Sequence, residues 1–213
     1  MEELLIPLCT SEIEAKPLAT SRKSRKKREA IIRAAIEIIN EKSYALATMS
    51  EIAASLDLRD ATLYYYYPSK QSLAFASHCH SLDRFDRFLS DAEDTPLSGA
   101  ARLEVVIRNL LVESEREGPL LYFGDYSYLE TDQRDAISAR AARLSTRLET
   151  LLKDGIADGS VAPCDTALVV NLLLGMLIWL GKWVPSVEGL TVDRLMEAIK
   201  TFSLVGMTRE PEL

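Results

Sequence analysis

Apolar residues recur with the period of an α-helix through the first half of the chain. Four of them fall at i, i+4, i+7 and i+8: Ile31, Ala35, Ile38 and Ile39. This spacing predicts an amphipathic helix over about residues 25–42. Further on, Pro68 ends one helical pattern and Ser69 can cap the next, which predicts a long helix over about 69–89.

Two shorter helices are predicted between these long ones. Thr48 and Glu51 have the spacing of a capping box and precede a helix that extends to about residue 56. Asp57 falls where the chain must turn, and aspartate tolerates the left-handed conformation better than most residues. A second short helix is predicted over about 59–66. Two short helices around a tight turn have the plan of a helix-turn-helix.

Capping and stop signals divide the rest of the chain into further helices, and no alternating pattern indicates a strand. The predicted segments are about 97–117, 119–128, 131–157, 165–184 and 191–206. Residues 1–21 show no sustained period and contain two prolines, so they are expected to form an N-terminal arm. The prediction is an all-α fold of about nine helices, with the helix-turn-helix domain at 22–68 and a larger helical domain at 69–213.

The charge distribution changes the picture that the net charge alone suggests. The chain carries −7 overall, yet residues 20–78 contain ten basic and six acidic residues. The excess of four positive charges lies around the predicted helix-turn-helix, and the remainder of the chain carries −11. Such asymmetry indicates a basic binding module attached to an acidic body. Phosphates of DNA are the expected partners of the basic module.

Several other classes of protein find no support in the composition. The 47% apolar and 27% charged residues are typical of a soluble globular protein. Three widely spaced cysteines indicate a reducing cytoplasm, and no export signal, zinc motif or catalytic motif is evident. Neighbouring His78, Cys79 and His80 point to different sides of a helix, so no metal site is predicted. The uncharged run Thr166–Gly181 is short for a membrane span and is expected to be a deeply buried helix.

The helix-turn-helix region resembles the signature of the tetracycline-repressor (TetR) family. The matching elements are Thr48, Ile52-Ala53, Thr62-Leu63-Tyr64, Tyr66-Tyr67 and Ser69-Lys70. The chain departs from the family pattern at Asp57, where a turn glycine is usual, and at Arg59 and Asp60, which open the second helix. The resemblance is strong over about residues 25–90 and weak beyond them.

The resemblance implies a DNA-binding surface with distinct roles. Thr48 and Tyr64 are expected to anchor phosphates, Arg59 to Tyr65 to face the bases, and Lys70 to meet the DNA backbone; Tyr67 is expected in the core. The basic cluster Arg22 to Arg28 corresponds to the family's N-terminal arm along DNA. The expected DNA-binding residues are Arg25, Lys26, Lys27, Thr48, Arg59, Asp60, Ala61, Thr62, Tyr64, Tyr65, Tyr66 and Lys70.

A regulator of this kind also needs a ligand pocket and a dimer interface. The ligand is expected to be hydrophobic with an acidic group, such as an acyl-CoA. Aromatic and apolar residues expected to line the pocket are Phe85, Leu110, Tyr122, Phe123, Tyr126 and Trp179. The last two helices are expected to form a four-helix bundle across a twofold axis, through Leu168, Leu172, Gly175, Met176, Trp179, Leu195, Ile199 and Phe202.

The chain is therefore predicted to be a cytoplasmic, homodimeric regulator without enzymatic activity, cofactor or membrane association. It is expected to repress from an inverted-repeat operator and to release DNA when its ligand binds. One alternative is a DNA-binding regulator or activator of the same family that needs no effector. A more distant alternative is a helical protein-interaction module.

Overall fold

The chain folds into helices, as its pattern predicts. A computed structural model describes residues 21–121 and 126–205, and within these ranges there are eight α-helices and no strand. The helices are α1 (Arg22–Lys42), α2 (Met49–Ala54), α3 (Asp60–Tyr66), α4 (Lys70–Glu93), α5 (Gly99–Glu117), α6 (Thr131–Ala157), α7 (Thr166–Trp183) and α8 (Val192–Ile199). A 3-10 turn, Val184–Ser186, follows α7, and a π-helix, Lys200–Val205, follows α8. The expected arm lies outside the described residues except for its last residue, Ser21.

The chain packs as two compact units. The first contains α1, α2, α3, the part of α4 up to Leu82, and residues 126–140; the second contains the rest of α4 and α6 with α5, α7 and α8. Helices α4 and α6 thus contribute to both units. Every helix of the first unit contributes fully buried side chains, among them Ile31, Ile36, Ile52, Leu63, Leu73 and Ile137.

The local signals of the helix-turn-helix are confirmed in detail. The Thr48 hydroxyl accepts from the backbone N–H of Glu51, and the Glu51 carboxylate accepts from the backbone N–H of Thr48, so the capping box is complete. Asp57 has φ 54°, the left-handed conformation expected of the turn. The backbone N–H of Leu58 returns to the carbonyl of Ala53 at 2.9 Å and closes the turn.

The second unit is held together by an apolar core and by a close helix contact. Leu103 and Ile107 of α5 and Leu148 of α6 are fully buried. The start of α5 meets the end of α6 at Gly99 and Gly155, where a Cβ on Gly99 would come within 2.2 Å of the Gly155 nitrogen. Only glycine permits this approach of two backbones.

The prediction of a helix over residues 119–128 is wrong for the residues described there. Helix α5 ends at Gly118, which has φ 82°, and residues 118–121 and 126–130 form loop and turn. Tyr126 instead meets the ring of His78, and Tyr128 meets the ring of Tyr44. These long-range aromatic contacts hold the segment in place without helical hydrogen bonds.

The expectation of a deeply buried helix at Thr166–Gly181 is also wrong. Helix α7 buries one face against its own unit and leaves the other face open. The buried face consists of Val170, Leu173, Leu177 and Leu180, whereas Leu168, Leu172 and Trp179 are exposed. These three exposed residues belong to the set that the sequence assigns to a dimer interface, so the sequence separated the two faces and only the deep burial of the whole helix was mispredicted.

Candidate functional site

Helix α3 presents a protruding surface of polar and aromatic side chains. Its inner side is anchored by Leu63, and by Tyr67 just beyond its end, both buried; the predicted core role of Tyr67 is confirmed. On the outer side Tyr64 and Tyr65 are 48% and 58% exposed. Arg59 and Ala61 are exposed beside them, and Thr62 and Tyr66 are half-buried. Exposed aromatic rings of this size are typical of a binding surface.

Asp60 has a partner within the helix-turn-helix. Its carboxylate accepts a hydrogen bond from the hydroxyl of Ser50 on α2. The contact joins the first turn of α3 to α2 and uses one oxygen of the carboxylate. Arg59, which occupies the N-cap position, makes no side-chain capping bond, so its guanidinium extends from an exposed position at the start of α3.

The whole basic cluster is helical, because α1 begins at Arg22 and not at about residue 25 as the sequence predicts. Ser21 caps α1 by accepting from the N–H of Ser24 at 3.2 Å, so the cluster occupies the first two turns of the helix. Its exposed members are Arg22, Lys23, Arg25 and Lys26, and Lys27 is half-buried. The first turn contains no acidic residue. Cations at a helix N-terminus oppose the helix dipole, so this arrangement reduces stability unless an anion binds there.

Arg28 connects the basic start of α1 to the end of α3. Its guanidinium donates to the carbonyl of Tyr66 at 3.3 Å and lies 5.6 and 5.5 Å from the ring centres of Tyr66 and Tyr67. The resemblance gave Arg28 only a place in the basic cluster. The contact spans 38 residues of sequence, and no local pattern could have indicated it. Arg28 thereby joins the basic start of α1 to Tyr66, whose ring meets the exposed ring of Tyr65 edge-on with 5.4 Å between the ring centres.

Thr48 and Lys70 have structural partners in addition to the DNA contacts expected of them. The Thr48 hydroxyl also donates to Glu51, whose other oxygen lies 2.7 Å from the Lys42 ammonium. The Lys70 ammonium donates to the carbonyls of Tyr44 and Ala47 at 2.7 and 2.8 Å. It also lies 4.3 Å from the Tyr44 ring centre. Lys70 therefore closes the turn between α1 and α2, and the phosphate contact expected of it stays a prediction.

The second unit contains an apolar cavity of about 170 Å³ between α5, α7 and α8. Its polar lining is limited to Ser114, Glu115 and Thr191. The remaining lining residues are Leu110, Leu111, Pro119, Leu120, Leu177, Ile178, Leu180, Gly181, Val184, Leu190, Val192 and Leu195. A concave, mainly apolar site with a few polar groups has the character of a small-molecule pocket.

The cavity differs in place from the pocket expected from the aromatic residues. Of the expected residues, Leu110 lines it. Phe85 packs edge-on against Phe88 within α4, Tyr126 lies against His78 in the first unit, and Trp179 is on the exposed face of α7. Tyr122 and Phe123 lie outside the described residues. The sequence shows which residues have large aromatic side chains, but where each side chain packs depends on the tertiary structure.

The residues expected at a dimer interface divide into two groups. Leu168, Leu172, Gly175, Trp179 and Phe202 are exposed, and Met176 is half-buried. Leu195 and Ile199 are buried within their own chain, which corrects their assignment to an interface. The apolar face of α8 packs against α5 in the same unit. Helix α7 is also the one described helix long and apolar enough to span a membrane, with a mean hydropathy of 1.6.

Comparison with known proteins decides the family. Residues 31–76 match the family described as bacterial regulatory proteins, tetR family, and residues 96–207 match the tetracyclin repressor-like C-terminal domain. The second match alone spans more than half of the chain. The chain belongs to the TetR family. It is therefore a DNA-binding transcription regulator, and its α1–α3 segment is the family's helix-turn-helix.

Individual relatives of this TetR-family chain show what it is similar to. The nucleoid occlusion factor SlmA of Shewanella denitrificans is 28% identical over 167 residues, which are 75% of this chain and 82% of the relative. PfmR of Thermus thermophilus has a TM-score of 0.71 at 21% identity over 84% of this chain and 99% of its own. AibR, solved with isovaleryl coenzyme A and operator DNA, has a TM-score of 0.68 at 25% identity over 81% and 95%.

Proposed function

We propose that this TetR-family chain is a homodimeric repressor that leaves an inverted-repeat operator when a hydrophobic ligand occupies the cavity beside α5, α7 and α8. The observation that supports it best is the joined surface of α1 and α3. Four exposed cations lie where the dipole of α1 disfavours them, and Arg28 links α1 to Tyr66 at the end of α3, beside the exposed ring of Tyr65. DNA phosphates would remove the electrostatic cost and the rings would reach the groove.

Roles within this surface follow from exposure. Cations of the first turns of α1 supply affinity without sequence preference, because phosphates are the same at every base pair. Arg59, at the exposed start of α3, is suited to contact guanine in the major groove. Tyr64, Tyr65, Ala61 and Thr62 complete the proposed contact surface. Asp60 is placed at the same end, where its bond to Ser50 orients one oxygen and leaves the other to a base amino group.

Salt dependence of DNA binding separates the two kinds of contact. We expect Arg22→Ala with Lys26→Ala, which lie on one face of α1, to lower the slope of log affinity against log salt by about two units. Arg59→Ala should instead reduce the preference for the selected sequence by about 1–3 kcal/mol. Fluorescence anisotropy measures both the salt slope and the sequence preference, and it uses the duplex that the wild-type protein selects from a random pool. Arg194→Ala, at an exposed position of α8, is the control.

A slope unchanged in the double variant would show that the α1 cations do not meet phosphates. An Arg59→Ala protein with wild-type preference would remove Arg59 from the contact surface. An unrelated acidic protein of similar size is the reference for non-specific binding. If the wild-type protein selects no sequence and binds duplexes no better than this reference, the proposed DNA-binding role is wrong.

The cavity lining suggests a ligand with a neutral or basic polar end. Glu115 is the one charged residue among the described lining residues, and the others offer hydroxyls or apolar groups. A carboxylate would enter without a cationic partner, and burial of an unpaired charge is unfavourable. This proposal replaces the acidic ligand expected from the sequence. A short branched acyl group is a second ligand to test, because the similar protein AibR was solved with isovaleryl coenzyme A.

A matched series of probes tests the ligand class. Octanol, octylamine and octanoate share one chain and differ in the polar end. We expect octanol and octylamine to raise the melting temperature and weaken DNA binding, and octanoate to do neither. Octylamine should raise the melting temperature more than octanol does, because its ammonium can pair with Glu115, and Glu115→Gln should remove this difference. Ile178→Trp, which fills the cavity, should remove every shift in melting temperature.

If octanoate or isovaleryl coenzyme A raises the melting temperature and weakens DNA binding more than octanol does, the cavity remains the proposed ligand site but the proposed ligand class is wrong. An absence of shifts across the series, with DNA binding intact, would favour a regulator without an effector. That second candidate has support in the similarity to SlmA, a nucleoid occlusion factor.

For this chain, the cytoplasm and nucleoid are the proposed location because DNA is the proposed partner.

A further inference from the structure

The turn between α1 and α2 is strained and is held by residues outside the helix-turn-helix. Ser43, which ends α1, has φ 78° and ψ 159°, a conformation that residues with a side chain rarely adopt. Such a conformation persists where surrounding contacts determine it. The turn leads through Thr48 into α2, so its geometry sets the position of α2.

Tyr128, far along the sequence, stacks directly on this turn. Its ring lies parallel to that of Tyr44, with 3.5 Å between the ring centres and an angle of 9° between the planes. The turn is also held by Lys70, whose ammonium donates to two of the turn's carbonyls. Tyr44 is thus in contact with α4 through Lys70 and with the segment before α6 through Tyr128.

Tyr128 is itself fixed at two further points, both on α4. The side-chain amide of Gln71 donates to the Tyr128 carbonyl at 2.7 Å. The Tyr128 hydroxyl is 2.8 Å from Nε2 of His78, a residue that is fully buried. Burial lowers the pKa of His78 to about 4, so this ring is neutral at pH 7 and exerts no charge on the tyrosine. Ring, hydroxyl and carbonyl of one residue therefore each have a defined partner.

We propose that Tyr128 is a positioning residue for DNA binding, which holds the strained α1–α2 turn through Tyr44 and so sets the orientation of α2. The inference rests on the proposed function, because it concerns the same DNA-binding surface.

Replacement of Tyr128 tests the inference on the full-length protein. We expect Tyr128→Leu to weaken binding to the wild-type-selected duplex by about tenfold or more, and to accelerate amide exchange at residues 43–48. Tyr128→Phe keeps the stacked ring and loses only the hydroxyl, so its affinity should stay within about threefold of wild type. Tyr126→Leu is the comparison variant, because it removes a neighbouring ring that packs against His78 and keeps the stack of Tyr128 on Tyr44.

The other side of the stack gives a second test if Tyr128→Leu does not fold. Tyr44→Leu should cause the same loss of affinity and the same faster exchange, and the double variant should be no worse than either single variant. A folded Tyr128→Leu or Tyr44→Leu protein with wild-type affinity would overturn the inference. So would weakened binding without faster exchange at 43–48, since the effect would then not pass through the turn. Failure of wild type to select any duplex would instead contradict the proposed function.

Discussion

Replacing Leu172 with glutamate is expected to produce a monomer and to weaken operator binding by about a hundredfold or more. Leu172 is 74% exposed at the centre of the open face of α7, between Leu168 and Trp179. In a twofold interface each such substitution occurs twice and places two carboxylates in an apolar contact. A hundredfold loss corresponds to about 2.7 kcal/mol, well within the cost of burying an unpaired charge.

Sedimentation and DNA-binding measurements together check this result. Leu97→Glu is the matched control, because Leu97 is also an exposed apolar residue of the second unit but lies before α5 and away from α7. The control should remain dimeric with wild-type affinity. A Leu172→Glu protein that sediments as a dimer, or a wild-type protein that sediments as a monomer at micromolar concentration, would remove α7 from the proposed interface.

The amphipathic division of α7 favours a second copy of the chain as the partner of this face. Its inner residues pack into the chain's own core, so lipid could surround only the outer side of the helix. A membrane-spanning helix needs about 20 residues, and α7 has 18, is capped by Asp165 and contains Lys182 in its last turn. A recognition helix reaches few base pairs alone, and two copies related by a twofold axis match an inverted repeat.

Gly99→Ala is expected to lower the stability of the second unit by about 3 kcal/mol, which corresponds to a fall in melting temperature of roughly 6–12 °C. An added Cβ would lie 2.2 and 2.4 Å from the nitrogen and Cα of Gly155 and 2.6 Å from the carbonyl oxygen of Leu151. All three are backbone atoms, so relief requires that the ends of α5 and α6 move apart. The hydrogen bond from the Gly99 N–H to Asp158, at 2.8 Å, would be lost with that movement.

Thermal and denaturant unfolding measure the loss, and Gly175→Ala supplies the control. No atom lies within 4 Å of the Cβ position at Gly175, so alanine should raise stability there by up to about 1 kcal/mol through helix propensity. Both substitutions should be compared in the monomeric Leu172→Glu protein, because Gly175 lies on the proposed dimer face. Equal stabilities of the two variants would show that α5 and α6 do not approach as closely as described.

Local signals in the sequence were sufficient for the helix-turn-helix. The capping box at Thr48 and Glu51, the turn at Asp57 and the start of α4 after Pro68 each depend on interactions within about five residues. Hydrogen bonds of this range are determined by residue type and spacing. The segment 119–128 shows the limit of the same reasoning, because aromatic contacts with residues 44 and 78 replaced the helix that its composition predicted.

The sequence by itself determined the all-α class, the position of the DNA-binding motif and the family, since these depend on periodicity, caps and a local signature. Only the tertiary structure decided that α8 buries Leu195 and Ile199 within its own chain, that Lys70 closes a turn, and that Tyr128 reaches Tyr44. The physical reason is that a helical period defines faces but not their partners. A partner lies tens of residues away and is selected by the packing of the whole unit.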